Sequence, residues 1–243
     1  MNIQQMIARS TFCLLGLIGL ALFTSPVTAQ VFDNVINIPP DPNIGDFADV
    51  GGDGLTTQVN ISDGGSIGEG LFALAGSEIN ISGGIIGDFF SARSGSVVNM
   101  SGCTFSFEFE ARSGSEVNIF GYDFVLDGAP LNSLAAGNAF TIADRDVTLT
   151  GVFVDGTAFS LALNSDLSQG DFISPDATLT VTLVPPPIIL GDVNQDGVVT
   201  FLDINPFISI LSTGGFLEQA DCNLDGVVTF LDINPFIQIL AGG

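Results

Sequence analysis

The sequence predicts a mainly β chain, a short-coil β-solenoid with a β cap, followed by a small α-helical domain. Three observations carry that prediction. Strand-like elements centred on asparagine recur with a period of 19–20 residues within 30–130. Strand signals continue without the repeat over 131–184, and Pro185 to Pro187 then open an extended spacer at 185–190. Beyond it, the 21-residue segment 191–211 recurs at 220–240 with four differences, inside a final domain at 191–243.

In chain order, the amino terminus reads as an address. Arg9 provides a positive start, Phe12 to Phe23 an apolar core and Val27-Thr28-Ala29 a small-x-small cleavage signal. Residues 1–29 are therefore expected to be a signal peptide, with the mature chain starting at Gln30. Twelve apolar residues are too few to span a bilayer. The expected location is secreted or at the cell surface, with no membrane span.

Charge narrows the function classes. The chain has 27 acidic residues against 4 basic, no histidine and a net charge of −23. Nucleic acid is excluded as a partner, because phosphate binding needs clustered Lys and Arg. Histidine-based acid–base and nucleophile chemistry is absent too. A surplus of carboxylates favours hard divalent cations held through oxygen. Cys103 and Cys222 fall in different expected domains, so a disulfide framework is not what holds this chain.

The repeat has a fixed inside and outside. Asn60, Asn80, Asn99 and Asn118 are spaced by 20, 19 and 19 residues. Period-2 alternation points their neighbours (Val59 and Ile61, Ile79 and Ile81, Val98 and Met100, Val117 and Ile119) to the opposite face. Leu71, Phe90 and Phe109 align on an apolar face, as do Ala73, Ala92 and Ala111. Phe72, Ser91 and Glu110, then Leu74, Arg93 and Arg112, occupy the other side. Coils this short bury an apolar side only by stacking. A β-sandwich is the competing architecture. The asparagines are expected to form an amide ladder, although Asn60, Asn80 and Asn99 also sit in N-x-S sequons. Arg93 and Arg112 are expected beside Glu110 as a surface ion pair, with the grip of an acidic sugar as the sharper alternative. Over 131–184, Gly137-Asn138, Asp155-Gly156 and Gly170-Asp171 punctuate strands that read as a cap or a small β-domain.

The tail carries the strongest signal. Each copy contains D-x-N-x-D-G followed by an aspartate at position 12. Asp192, Asn194, Asp196 and Asp203 in the first copy, and Asp221, Asn223, Asp225 and Asp232 in the second, suit a cation that takes six to eight oxygens. The carbonyls of Val198 and Val227 fit position 7, and Thr200 and Thr229 occupy position 9. Two Ca2+ ions are expected, with folding coupled to their binding. A short helix then follows each loop, with Ile204, Phe207, Ile208 and Leu211, or Ile233, Phe236, Ile237 and Leu240, as its apolar stripe.

On these residues the tail resembles the type I dockerin family over residues ~190–241, which makes the final domain a dockerin-like one. The resemblance implies a calcium module that attaches a secreted protein to an extracellular, cohesin-like partner, often in polysaccharide-degrading assemblies. The chain departs from the family at loop positions 10 and 11, where hydroxyl residues are common. Here they are Phe201-Leu202 and Phe230-Leu231. These apolar pairs are candidates for partner contact, for packing between the repeats, or for contact with the solenoid. The front segment is similar to the short-coil repeat regions of large secreted bacterial proteins.

Two functions are weighed. The first is a noncatalytic scaffold or adhesion protein, tethered by its calcium module, with polysaccharide a candidate ligand. The second is a β-helix polysaccharide lyase or glycoside hydrolase. It would draw its carboxylates from the stacked Asp46, Glu69 and Asp88, although these recur within an Ile-Gly-Asp/Glu turn, which is a mark of structure.

Overall fold

The structure, a computed structural model, describes residues 31–105, 108–186 and 188–242. The expected signal peptide at 1–29 and Pro187 of the spacer lie outside the described residues.

The apolar alternation produces strands. In chain order they are β1 (Asn34–Ile38), β2 (Asp49–Val50), β3 (Thr57–Ile61), β4 (Ser66–Ile67), β5 (Phe72–Ala73) and β6 (Ser77–Ile86). Then follow β7 (Phe90–Ala92), β8 (Val97–Phe105), β9 (Phe109–Ala111) and β10 (Glu116–Leu126). β1, β3, β6, β8 and β10 run parallel in one sheet. β2, β5, β7 and β9 run parallel in a second. The result is a β-solenoid of about four turns.

Register follows the asparagines. Asn37, Asn60, Asn80, Asn99 and Asn118 sit opposite one another across successive strands. Each amide nitrogen donates to the amide oxygen of the preceding coil, at 2.8, 2.9, 2.8 and 3.0 Å. Asn37 escaped the periodic pattern because 23 residues separate it from Asn60. The three sequon asparagines are thus committed to the ladder. Sharp corners keep the coils in step. Gly76, Gly95 and Gly114 hold φ of 83°, 79° and 77°, a region costly for any residue with a Cβ. At the next position, Ser77, Ser96 and Ser115 each donate a 2.6 Å bond to the carbonyl three residues back.

Between the sheets lies one core. Val59, Ile61, Ile79, Ile81, Val98, Met100, Val117 and Ile119 fill it from the first sheet, all 2% exposed or less. Leu71, Phe90, Phe109, Ala73, Ala92 and Ala111 fill it from the second. The alanines let the two sheets approach, while Phe90 and Phe109 stack at 5.5 Å between centroids. The outer side of the second sheet is less open than alternation alone implies, because Ser91 and Glu110 are buried there.

Residues after 127 continue the solenoid as well as covering it. The remaining strands are β11 (Ala129–Pro130), β12 (Ala139–Thr141), β13 (Thr148–Phe153), β14 (Ala158–Ala162), β15 (Phe172–Ile173) and β16 (Thr178–Leu183). β13 and β14 form an antiparallel hairpin against the far half of β10. The chain then returns. β15 pairs parallel to β9 and β16 pairs parallel to β10, adding a rung to both sheets. Thr180 donates its hydroxyl to Asn118 at 2.7 Å and so ends the amide ladder. β12 pairs antiparallel to β16, covering an edge that would otherwise invite pairing with another chain.

Arg145 fastens this return. Its guanidinium donates to the carbonyls of Ile142, Asp144, Ile173, Ser174 and Ala177, at 2.9–3.1 Å. Burial pulls it below its ordinary pKa, and the charge of Asp144 opposes that shift. Arg145→Met keeps the stem and removes the donors. It is expected to cost about 2–3 kcal/mol, measured as a lower denaturation midpoint of the β signal. A cost below about 0.5 kcal/mol, the ordinary range for surface changes, would mean that the return is held elsewhere.

The tail has a separate core of Val193, Phe207, Ala220, Cys222, Val228 and Phe236. Its helices are α1 (Ile204–Thr213) and α2 (Ile233–Gly242). Phe207 and Phe236 stack across the duplication at 4.2 Å, with an interplanar angle of 6°. The expected stripe needs one correction. Ile208 and Ile237 are 55% and 54% exposed, and Ile210 and Ile239 pack against the core instead. One residue rotates a helix by about 100°, which carries Ile208 past the contact made through Phe207.

Candidate metal centre

Each acidic loop is folded by its own side chains. Asp192 accepts the amides of Asp196 at 3.1 Å and Gly197 at 2.9 Å, and Asn194 accepts the Asp196 amide at 3.0 Å. Asp203 reaches back to the amides of Asn194 at 2.9 Å and Thr200 at 2.8 Å. The second loop repeats this around Asp221, Asn223, Asp225 and Asp232, with every equivalent bond at 2.8–3.1 Å. Alternation at positions 1, 3 and 5 turns these side chains to one side, and the glycine at position 6 takes φ of 91° in one loop and 86° in the other. Asp203 and Asp232 have a second role. With Thr200 and Thr229 they form capping boxes on the 3-10 turns Phe201–Asp203 and Phe230–Asp232, which lead into α1 and α2. The T-x-x-D spacing was a readable signal for that role.

The loops bury charge. Asp203 and Asp232 are 0% exposed, and Asp192 and Asp221 are 5% exposed. Among the described residues the only ion pair is Arg112 with Glu110, so none of these four carboxylates meets a basic side chain. Burying a carboxylate without a counter-charge is strongly unfavourable, and a hard divalent cation is the compensation that fits this set. Among the described residues, no three Asp, Glu, Cys or His side chains gather as a metal group by themselves. The oxygens on offer are mixed: carboxylates, the Asn194 and Asn223 amides, and the carbonyl and hydroxyl oxygens of Val198, Thr200, Val227 and Thr229. Calcium, when bound, supplies the positive charge that the loops lack.

The apolar pairs at positions 10 and 11 face away from the core. Phe201 and Leu202 are 79% and 70% exposed, and Phe230 and Leu231 are 81% and 70% exposed. Packing between the two repeats is therefore not their role. Ile208 and Ile237 are exposed in the same way, one turn along each helix, an extension that the expected stripe had placed in the core.

Other candidates sit differently. Asp46, Glu69 and Asp88 lie exposed on the turn, where Asp46 accepts the Glu69 amide at 3.0 Å. Cys103 and Cys222 are free, buried thiols. Burial, helped by Asp155, pushes the Cys103 thiol well above its ordinary range, and burial beside Asp232 and Asp221 pushes that of Cys222 up to about 11. Among the described residues, no helix is long and apolar enough to cross a membrane.

No curated protein and no solved structure matches the chain. Residues 190–241, which hold both loops and both helices, match the family model of the dockerin type I domain, a family that generally binds calcium and attaches its proteins to cohesin-type partners.

Proposed function

We propose that the chain is a secreted attachment protein, in which a rigid β-solenoid is displayed by a calcium-dependent dockerin module. One Ca2+ binds in each loop, through Asp192, Asn194, Asp196, Val198, Thr200 and Asp203, and through Asp221, Asn223, Asp225, Val227, Thr229 and Asp232. The partner surface is Phe201, Leu202 and Ile208 on one repeat, and Phe230, Leu231 and Ile237 on the other.

One observation carries this reading. Two nearly identical apolar triplets stand in solvent although the tail has its own core, and exposed apolar patches of this kind mark interaction sites. With no Lys or Arg anywhere in the tail, the partner offers an apolar hollow rather than an acidic surface. The fold supports display, since it holds the repeat side chains in rows. Catalysis is not invoked. Product release from a pectin, alginate or cellulose panel that disappeared in Asp88→Ala would replace this reading with an enzyme.

The test is binding of the calcium-loaded chain to a panel of immobilised cohesin domains, with a pull-down from secreted protein alongside. A complex that chelator dissolves is expected. Phe201→Asp combined with Phe230→Asp should weaken it at least about a hundredfold, the loss of two anchors near 1.4 kcal/mol each, while calcium binding persists. A double variant that binds as tightly as the parent would remove the apolar pairs from the interface.

A further inference from the structure

The outward side of the second sheet carries a row that neither the core nor the calcium module uses. Alternation along β7 turns Phe90 and Ala92 into the core and leaves Ser91 outward. Register places Phe72 on one side of Ser91 and Glu110 on the other, with Phe172 beyond Glu110. At strand spacings of about 4.8 Å, Phe72 and Phe172 stand about 14 Å apart. A guanidinium lies over each ring, Arg93 at 4.7 Å from the Phe72 centroid and Arg112 at 5.5 Å from that of Phe172.

The two arginines differ in their partners. Arg112 donates to both oxygens of Glu110, at 2.9 and 3.0 Å, and the two charges cancel. Arg93 has no acidic partner among the described residues, in a chain with 27 acidic residues and 4 basic ones. The expected Arg93 ion pair is therefore replaced by a ring contact, and one uncompensated positive charge remains. Two residues before Arg93, between Phe72 and Glu110 on the adjacent coils, lies Ser91, fully buried. Its hydroxyl is, among the described residues, the one buried side-chain polar atom without a hydrogen-bond partner. Such an atom calls for an explanation. Phe89 meets Phe72 edge-on at 5.9 Å and widens the aromatic wall.

We propose that this row binds a short acidic saccharide, its carboxylate on the Arg93 guanidinium, its ring against Phe72 and Phe89, and a hydroxyl on Ser91. A planar guanidinium matches a carboxylate with two parallel bonds. Arg93 is exposed and held by its ring contact, so it is the group free to shift and admit the ligand. The surface suits a sugar better than a peptide. The strands that carry Phe72, Ser91 and Glu110 are each paired on both sides within the sheet, so the centre of the row presents side chains rather than the free strand edge that peptide recognition uses. A net charge of −23 disfavours a long polyanion, so contact is with a few sugar units at short range. The site is independent of the calcium loops and of any cohesin-type partner.

The test is calorimetric titration of the full calcium-loaded chain with trigalacturonate, its methyl ester and a glutamate-rich peptide. The acid trimer is expected to bind, and the ester and the Arg93→Gln variant to weaken binding by about tenfold or more. Ser91→Ala should also weaken binding while leaving the melting temperature unchanged or higher, because it removes an unsatisfied hydroxyl. That pairing distinguishes a ligand contact from a structural one. Equal binding of acid and ester, unchanged binding by Arg93→Gln, binding of the peptide alone, or no heat at millimolar trimer would each overturn the assignment.

Discussion

Removing calcium from the intact chain is expected to unfold residues 190–241 while the solenoid keeps its strands. The tail core is small, with six buried apolar residues, too few to hold a module of this size unaided. Against it stand four buried carboxylates with no basic partner. A cation at about 1,000 times its dissociation constant contributes about 4 kcal/mol per site, and two such sites about 8 kcal/mol. That is comparable to the whole stability of a small domain, about 5–15 kcal/mol. Chelator should therefore erase the helical far-ultraviolet signal, and calcium should restore it. Thiol labelling adds an internal control. Cys222 lies in the tail core and Cys103 in the solenoid core, so chelator should expose the first and leave the second protected. Asp203→Ala removes both a candidate ligand and a helix cap, and should halve the restored signal or abolish it. A helix signal equal in chelator and in calcium would sink the coupled-folding account, and the calcium-dependent tether with it.

Phe90→Ala is the second change expected to have a large effect. Phe90 is 1% exposed and stacks on Phe109 from the next coil. Truncating a buried phenylalanine costs about 3–5 kcal/mol, because the cavity left behind closes only in part. In a stacked array the loss falls on the interfaces with neighbouring coils. The β transition is expected to shift to lower denaturant while the calcium-dependent helix signal stays in place. Phe72→Ala, on the outward side of the same sheet, should cost less than half as much. If the two variants lose equal stability, the inside and outside of the second sheet have been assigned wrongly.

Much of the architecture was legible because it repeats. A period of 19–20 residues, together with alternation around Asn60, Asn80, Asn99 and Asn118, determined the stacking, the buried face and the amide ladder. The duplicated acidic loops marked the segment that the dockerin type I family model matches. Ser91 and Arg93 were less legible. Alternation says which way a side chain leaves the strand, but its neighbours on adjacent coils decide whether it meets solvent, a ring or a carboxylate. The same limit applies to Ile208 and Ile237, apolar residues near the edge of a stripe whose exposure depends on where the facing helix crosses.

The order of the chain alone determined the coil period and the terminal duplication that the dockerin type I family model matches, since each is written in local spacing. Only the tertiary structure decided that 172–183 returns as the last rung, that Arg145 holds it there, and that Arg93 stands unpaired over Phe72. Those outcomes join residues 21–62 positions apart in sequence. Such contacts form only once the intervening loops have closed, and the entropy of closing them leaves no signature in local sequence.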